Sequence, residues 1–192
     1  MNKIFTAATV SLILNVAFSV YYLALGITSP SWWLLTLGFY YLILSIVRFT
    51  VILASPHKHH LTALVGWMLM FLSLPLSGTV ILAVLADRGQ KHHMIVMIAI
   101  AVFSFTKITL AIINIVKCRR SASEKLIALR CISLADAFVS IFALQRSMLV
   151  SFEGMGESEI VIMNAALGSA VCVIVFLLGL NLVKRKKLLF KL

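Results

Sequence analysis

Charge is what this chain has least of. Only 12% of its 192 residues are Asp, Glu, Lys or Arg, while 62% are hydrophobic. A soluble domain is about half apolar and about a quarter charged, because its whole surface meets water. The deficit excludes a soluble enzyme, a secreted disulfide scaffold and a disordered tail. Cysteine is also scarce: Cys118, Cys131 and Cys172, with no CxxC spacing, supply neither a disulfide framework nor a zinc site. Cys131 and Cys172 lie in apolar surroundings and read as small core residues. Cys118 stands beside the basic Arg119, but nothing in the pattern needs a reactive thiol. There is no HExxH, no GxSxG and no Gly-rich phosphate loop, and no histidine sits inside an apolar run to hold a haem. An enzyme is therefore not expected, and no catalytic residue, metal or cofactor is assigned.

What the chain has is apolar length. A helix needs roughly 20 mostly apolar residues to cross a hydrocarbon layer of ~30 Å. Six stretches qualify, at about 4–26, 31–54, 61–86, 94–116, 126–151 and 160–183. The breaks between them carry turn chemistry: Thr28-Ser29-Pro30, Ser55-Pro56, Asp87-Arg88-Gly89-Gln90 and Glu153-Gly154-Met155-Gly156. Backbone polar groups in lipid must be satisfied within the protein, so runs this long and continuous are helices. A barrel would show segments of about ten residues with alternating polarity. The longest polar stretch, around Lys117–Lys125, is too short for a soluble domain, and no internal repeat is visible. The expected fold is all-α: one transmembrane domain over 1–192, a bundle of six spans. The first span exceeds the 7–15 apolar residues of a secretory signal and is expected to be retained.

Charge placement orients the bundle. Short loops rich in Lys and Arg stay in the cytoplasm. One side carries Lys3, Lys58, Lys117, Arg119, Arg120, Lys125, Lys184, Arg185, Lys186, Lys187 and Lys191, and the other only Arg88 and Lys91. Both termini are thus expected to be cytoplasmic. The formal net charge of +11 then reads as a belt meeting anionic lipid headgroups rather than as a nucleic-acid interface, for which no basic domain with aromatic platforms exists. Asp87, Glu153, Glu157 and Glu159 make the opposite side acidic, as a solvated outer face.

Five ionisable residues lie inside the runs. Arg48, Arg130 and Arg146 are near run ends, where interfacial anchoring by snorkelling is expected. For Arg146, Glu153 or the outer headgroups are within reach. Lys107 lies ten residues before Lys117, and Asp136 eleven after Lys125. At 1.5 Å per residue, each is about 15–17 Å from the basic boundary, near mid-membrane. They stand on consecutive antiparallel helices with opposite charge, so pairing is the economical solution to their burial.

Helical phase brings further polar residues to the same faces. Ser133, Asp136, Ser140, Ala143 and Ser147 share one stripe, and Ala101, Ser104, Lys107, Ala111 and Asn114 another. Ala8, Ser11, Asn15, Ser19 and Tyr22 form a third, and Tyr41, Ser45 and Arg48 a fourth. Such stripes are either packing seams between helices in lipid or the lining of a polar pathway. The candidate midplane site comprises Lys107, Asp136, Asn114, Ser140 and Arg48.

Other features are secondary. Pro75, within Leu72-Ser73-Leu74-Pro75-Leu76-Ser77-Gly78, predicts a bend in the third span, although transporters use broken helices at such depths. His57, His59 and His60 lie on one side of the membrane and His92 and His93 on the other, so they form no common site. Trp32 and Trp33 are expected at the headgroup boundary, and the hydroxyls of Tyr40 and Tyr41 should find partners in the bundle.

The runs SWWLLTLGFYYLILSIVRF, FTKITLAIINIVK and ISLADAFVSIFALQRSMLVSFE resemble small six-span membrane proteins of clostridial-type Gram-positive bacteria. The resemblance covers most of the chain, from the second span to the start of the sixth. It implies a bacterial plasma membrane, and neither a function nor site residues. Two functional readings follow from the residues. One is transport of a small solute or ion through the midplane site. The other is a non-catalytic assembly subunit, a homo-oligomer or a partner of another membrane protein, packing through a seam such as Gly168, Cys172 and Gly179, with structural buried charges.

Overall fold

The structure, a computed structural model, describes residues 2–28, 31–53, 61–85, 94–117, 124–151 and 156–189. Those residues form six helices: α1 (Asn2–Thr28), α2 (Trp32–Leu53), α3 (Leu61–Leu85), α4 (Met94–Lys117), α5 (Glu124–Ser151) and α6 (Glu157–Leu189). The chain is all-helical over these residues. Five of the helices are long and apolar enough to cross a membrane, and the apolar stretch of α4, Ile100–Ile113, is shorter. Helix boundaries fall within a few residues of the apolar runs, except that α6 continues to Leu189. Cationic residues at a helix C-terminus face the negative end of its dipole, so the Lys184–Lys187 run is compatible with helix there. The start of α6 is capped locally: the Gly156 N–H donates to Glu159 Oε2 at 3.2 Å.

The bundle is apolar outside, and its mostly apolar interior also encloses its polar groups. Ile13, Val20, Phe39, Ile46, Trp67, Phe71, Leu74, Phe105 and Ile162 are exposed, whereas Asn15, Arg48, Lys107, Asp136 and Ser140 are buried. This is the arrangement of a multi-pass membrane protein, where the surface meets lipid and polar groups pair with one another.

Three tight helix pairs build the bundle: α1 with α2, α4 with α5, and α3 with α6. The α3–α6 pair is the closest because two glycines face each other. A Cβ added at Gly179 would lie 2.7 Å from the Gly66 carbonyl oxygen, and one at Gly66 would lie 2.8 Å from the Gly179 oxygen. Small residues of this kind let backbones approach in lipid. The seam of Gly168, Cys172 and Gly179 is therefore used within the chain: Gly168 meets Val80 and Phe142, and Cys172 packs on the core.

Helix α5 is the most enclosed, touching α2, α3, α4 and α6. At one end Thr62 donates to Glu124 Oε2 at 3.0 Å, and Lys125 Nζ donates to the Ile52 carbonyl at 2.7 Å. Near the other end Arg146 Nη1 donates to the Ala83 carbonyl at 3.0 Å. The central helix is thus tied to α2 and α3 at one end and to α3 at the other. Helix α3 runs unbroken through Pro75. The open, broken-helix site known from transporters is therefore not formed there.

Candidate functional site

Asp136 is the hub of the bundle interior. Its Oδ1 accepts from Lys107 Nζ of α4 in a close ion pair. Its Oδ2 accepts from Arg48 Nη2 of α2 at 3.0 Å, from Asn15 Nδ2 of α1 at 3.0 Å and from Ser11 Oγ at 3.4 Å. Arg48 Nη1 also donates to Ser11 Oγ, so Ser11 relays between cation and carboxylate. Four helices thereby converge on one carboxylate. Asp136 and Arg48 have no exposed surface, and Lys107 is 2% exposed.

The α1–α2 and α4–α5 hairpins face each other here with few close backbone approaches. Long side chains fill the gap, and they can cross it because each stands on an inward polar stripe. One helical turn from Asp136, Ser140 Oγ donates to the Asp136 carbonyl at 2.8 Å, and Tyr41 OH pairs with Ser140 Oγ at 3.1 Å. Ser104 Oγ donates to the Ser140 carbonyl at 3.0 Å. Aromatic rings close the same side. Lys107 Nζ lies 4.7 Å from the Phe103 ring centroid and 5.2 Å from that of Tyr41, within cation–π range. Phe18 stacks on Phe103 and Tyr22 on Tyr41.

Of the residues expected at the site, the structure brings together Lys107, Asp136, Ser140 and Arg48. The side chain of Asn114 lies outside the described residues. Asn15 and Ser11 belong to the site as well. Their stripe was visible in the sequence, but only the packing of α1 against α4 and α2 carries them to Asp136.

Arg48 does not anchor to an interface; it is a second cation on Asp136. The reason is helix geometry. Each Cα–Cβ bond tilts toward the N-terminus of its helix, and for Arg48 that direction leads away from the nearby end of α2 and toward the bundle middle. The same rule applies to Arg146 on α5. It is buried, bonded to the Ala83 carbonyl, and its guanidinium lies 4.6 Å from the Trp33 ring centroid. Trp33 is correspondingly buried, and of this pair Trp32 alone is exposed as a boundary residue would be. Tyr41 finds a hydroxyl partner, whereas the buried Tyr40 hydroxyl has none among the described residues.

Two cations on one carboxylate leave one formal positive charge in excess. Polar atoms are left unpaired as well. An ionised carboxylate offers about four lone-pair sites, and Asp136 accepts four donors. Among the described residues Arg48 Nε is nevertheless buried without a partner, and so is Asn15 Oδ1. Among the described residues no group of three or more His, Cys, Asp and Glu could hold a metal ion. No protein-family model matches the chain, and no curated protein matches it at a significant level. The site must therefore be read from its own chemistry.

Proposed function

We propose that this chain is a six-span protein of a bacterial plasma membrane, with both termini cytoplasmic, that moves a small solute or ion through the polar site around Asp136. The observation that carries this reading is the charged cluster itself. Burying three ionisable side chains at mid-depth is costly, and membrane proteins keep such groups mainly along substrate and ion pathways. Four helices contribute to the cluster. The two hairpins that hold it meet through side chains more than through backbone, so a shift of one hairpin against the other would open it.

A second reading is favoured by one observation. Both oxygens of the carboxylate are held by donors from neighbouring helices, as in a purely structural cluster. In that reading the protein is a non-catalytic subunit whose charges set the packing of α1, α2, α4 and α5. Its partner would be a second copy or another membrane protein. Anionic headgroups would meet the basic side in either case, and nucleic acid would have no role.

Two experiments test these proposals. Reporter fusions after Ser121 and Leu192 should read cytoplasmic, and fusions after Gly89 and Gly156 external; a cytoplasmic signal at Gly156 overturns the six-span topology. Purified protein in liposomes should support solute flux that Asp136→Asn abolishes. Absence of flux, with co-purification of another membrane protein, would replace transport with assembly.

A further inference from the structure

We infer that the cluster around Asp136 is a receptor for a small monovalent anion, bound beside Arg48 and Lys107. This rests on the transport reading for its purpose, but not for its chemistry. Three observations carry it.

The first is charge. Among the described residues, Arg48 and Lys107 share Asp136 as the one carboxylate bonded to either of them, so one formal positive charge is left over. The second is donor count. Asp136 already accepts from Lys107, Arg48, Asn15 and Ser11. Three of these donors fall on Oδ2, and the lone pair left on Oδ1 belongs to the oxygen that already holds the Lys107 ammonium, which repels a metal cation or a transported ammonium group. The third is the orphan donor. Arg48 Nε is buried with no partner, on a side chain with no exposed surface.

The unpartnered Asn15 Oδ1 belongs to a side chain that donates to the same carboxylate oxygen as Arg48. One water could satisfy both orphan atoms, donating to Asn15 and accepting from Arg48. It would leave the charge unbalanced. A monovalent anion at Arg48 balances the charge and accepts the free N–H in one step. A divalent anion would overshoot, turning an excess of one positive charge into an excess of one negative.

The anion's identity within the class divides into halide and small carboxylate, and the experiment separates them. Thermal unfolding of the full chain in detergent is followed in sodium gluconate, with chloride or formate replacing gluconate at constant ionic strength. At a hundredfold excess over Kd, the bound anion should raise the unfolding midpoint by roughly 5–10 °C. Sulfate should not. Chloride alone acting marks a halide site, and formate alone a carboxylate site.

Lys107→Met leaves Arg48 and Asp136 balanced and should abolish the anion dependence. Lys107→Arg keeps the excess charge and should retain it. A bromide-soaked crystal should show the ion within about 4 Å of Arg48 Nε. The inference is overturned if the wild-type midpoint is indifferent to chloride and formate. It is equally overturned if Lys107→Met keeps the full shift, since the anion then binds elsewhere. Flux in liposomes separates this from the transport proposal. Stabilisation without anion flux leaves the anion site standing and removes transport. Flux of another solute with no anion effect does the reverse.

Discussion

Replacing Asp136 by Asn removes the only carboxylate bonded to Lys107 and Arg48 among the described residues. Losing one partner of a buried ion pair costs about 3–5 kcal/mol in a soluble interior. Here two cations lose their partner at once, although bilayer thinning and water entry offset part of the loss. Asp136→Asn should therefore destabilise the protein by at least ~3 kcal/mol. Lys107→Met should behave quite differently. It forfeits one charge-assisted hydrogen bond, about 1.5–3 kcal/mol. It also relieves the burial of a surplus cation, an effect of several kcal/mol with the opposite sign. Arg48 remains on Asp136, so the net change should lie within about 2 kcal/mol of zero on the same scale.

The double variant is the discriminating one. If Lys107 and Asp136 formed an isolated pair, as their matched depth in the sequence predicts, removing both would recover most of the loss. Because Arg48 shares the carboxylate, the double variant should keep about 2 kcal/mol or more of the Asp136→Asn defect. Adding Arg48→Leu should then restore stability, since no buried charge is left unmatched. The assay is equilibrium unfolding in mixed micelles, followed by far-ultraviolet circular dichroism in a gluconate buffer that keeps binding anions low. Full recovery in the Lys107→Met, Asp136→Asn double variant would refute the shared carboxylate. A Lys107→Met variant as damaged as Asp136→Asn would refute the claim of surplus charge.

Further outcomes follow from the packing. Gly179→Ala places a methyl group 2.7 Å from the Gly66 carbonyl oxygen, a backbone atom that cannot swing aside. It should lower stability by about 1–3 kcal/mol in the same unfolding assay. Gly78→Ala is the control: nothing lies within 4 Å of the added carbon, and better helix propensity should leave stability unchanged or raise it by up to ~1 kcal/mol. Tyr41→Phe breaks the contact with Ser140 and should cost about 0.5–1 kcal/mol, as hydrogen bonds inside membranes do. Pro75→Ala restores a backbone donor in a helix that is already continuous, so the thermal midpoint should hold or rise; loss of folding would show that the ring itself is needed.

Much of the helical scaffold was legible because apolar length and turn residues dominate this chain. The polar stripes were legible for the same reason: in so apolar a chain, Ser11, Asn15, Ser104 and Ser140 stand out by phase alone. The depth match of Lys107 and Asp136 could be counted along two neighbouring helices, since a short connection makes them antiparallel. What could not be counted was which non-consecutive helices touch. Residue spacing does not say that α1 lies against α4, or that α2 reaches α5, so it could not deliver Asn15 to the carboxylate or show that Arg48, though placed in the candidate site, bonds Asp136 directly.

Arg48 is the instructive residue, because its polar stripe placed it in the candidate site while its depth pointed elsewhere. Distance from the end of the run suggested an interfacial anchor, but distance ignores side-chain direction. Cβ vectors tilt toward the helix N-terminus. A basic residue near the C-terminal end of a span therefore starts out aimed at the membrane middle, and one near the N-terminal end starts out aimed at the boundary. By that rule Arg48, near the end of α2, and Arg146, near the end of α5, should have been read as interior residues. Arg130, near the start of α5, should be the one that snorkels. The structure buries Arg48 and Arg146 as the rule requires, but Arg130, half-buried overall, also has its Nε and Nη2 enclosed, so the rule does not account for it. Direction, added to depth, turns the isolated pair into a cluster with two cations and one anion. That change of stoichiometry separates a neutral structural contact from a site with an electrostatic demand.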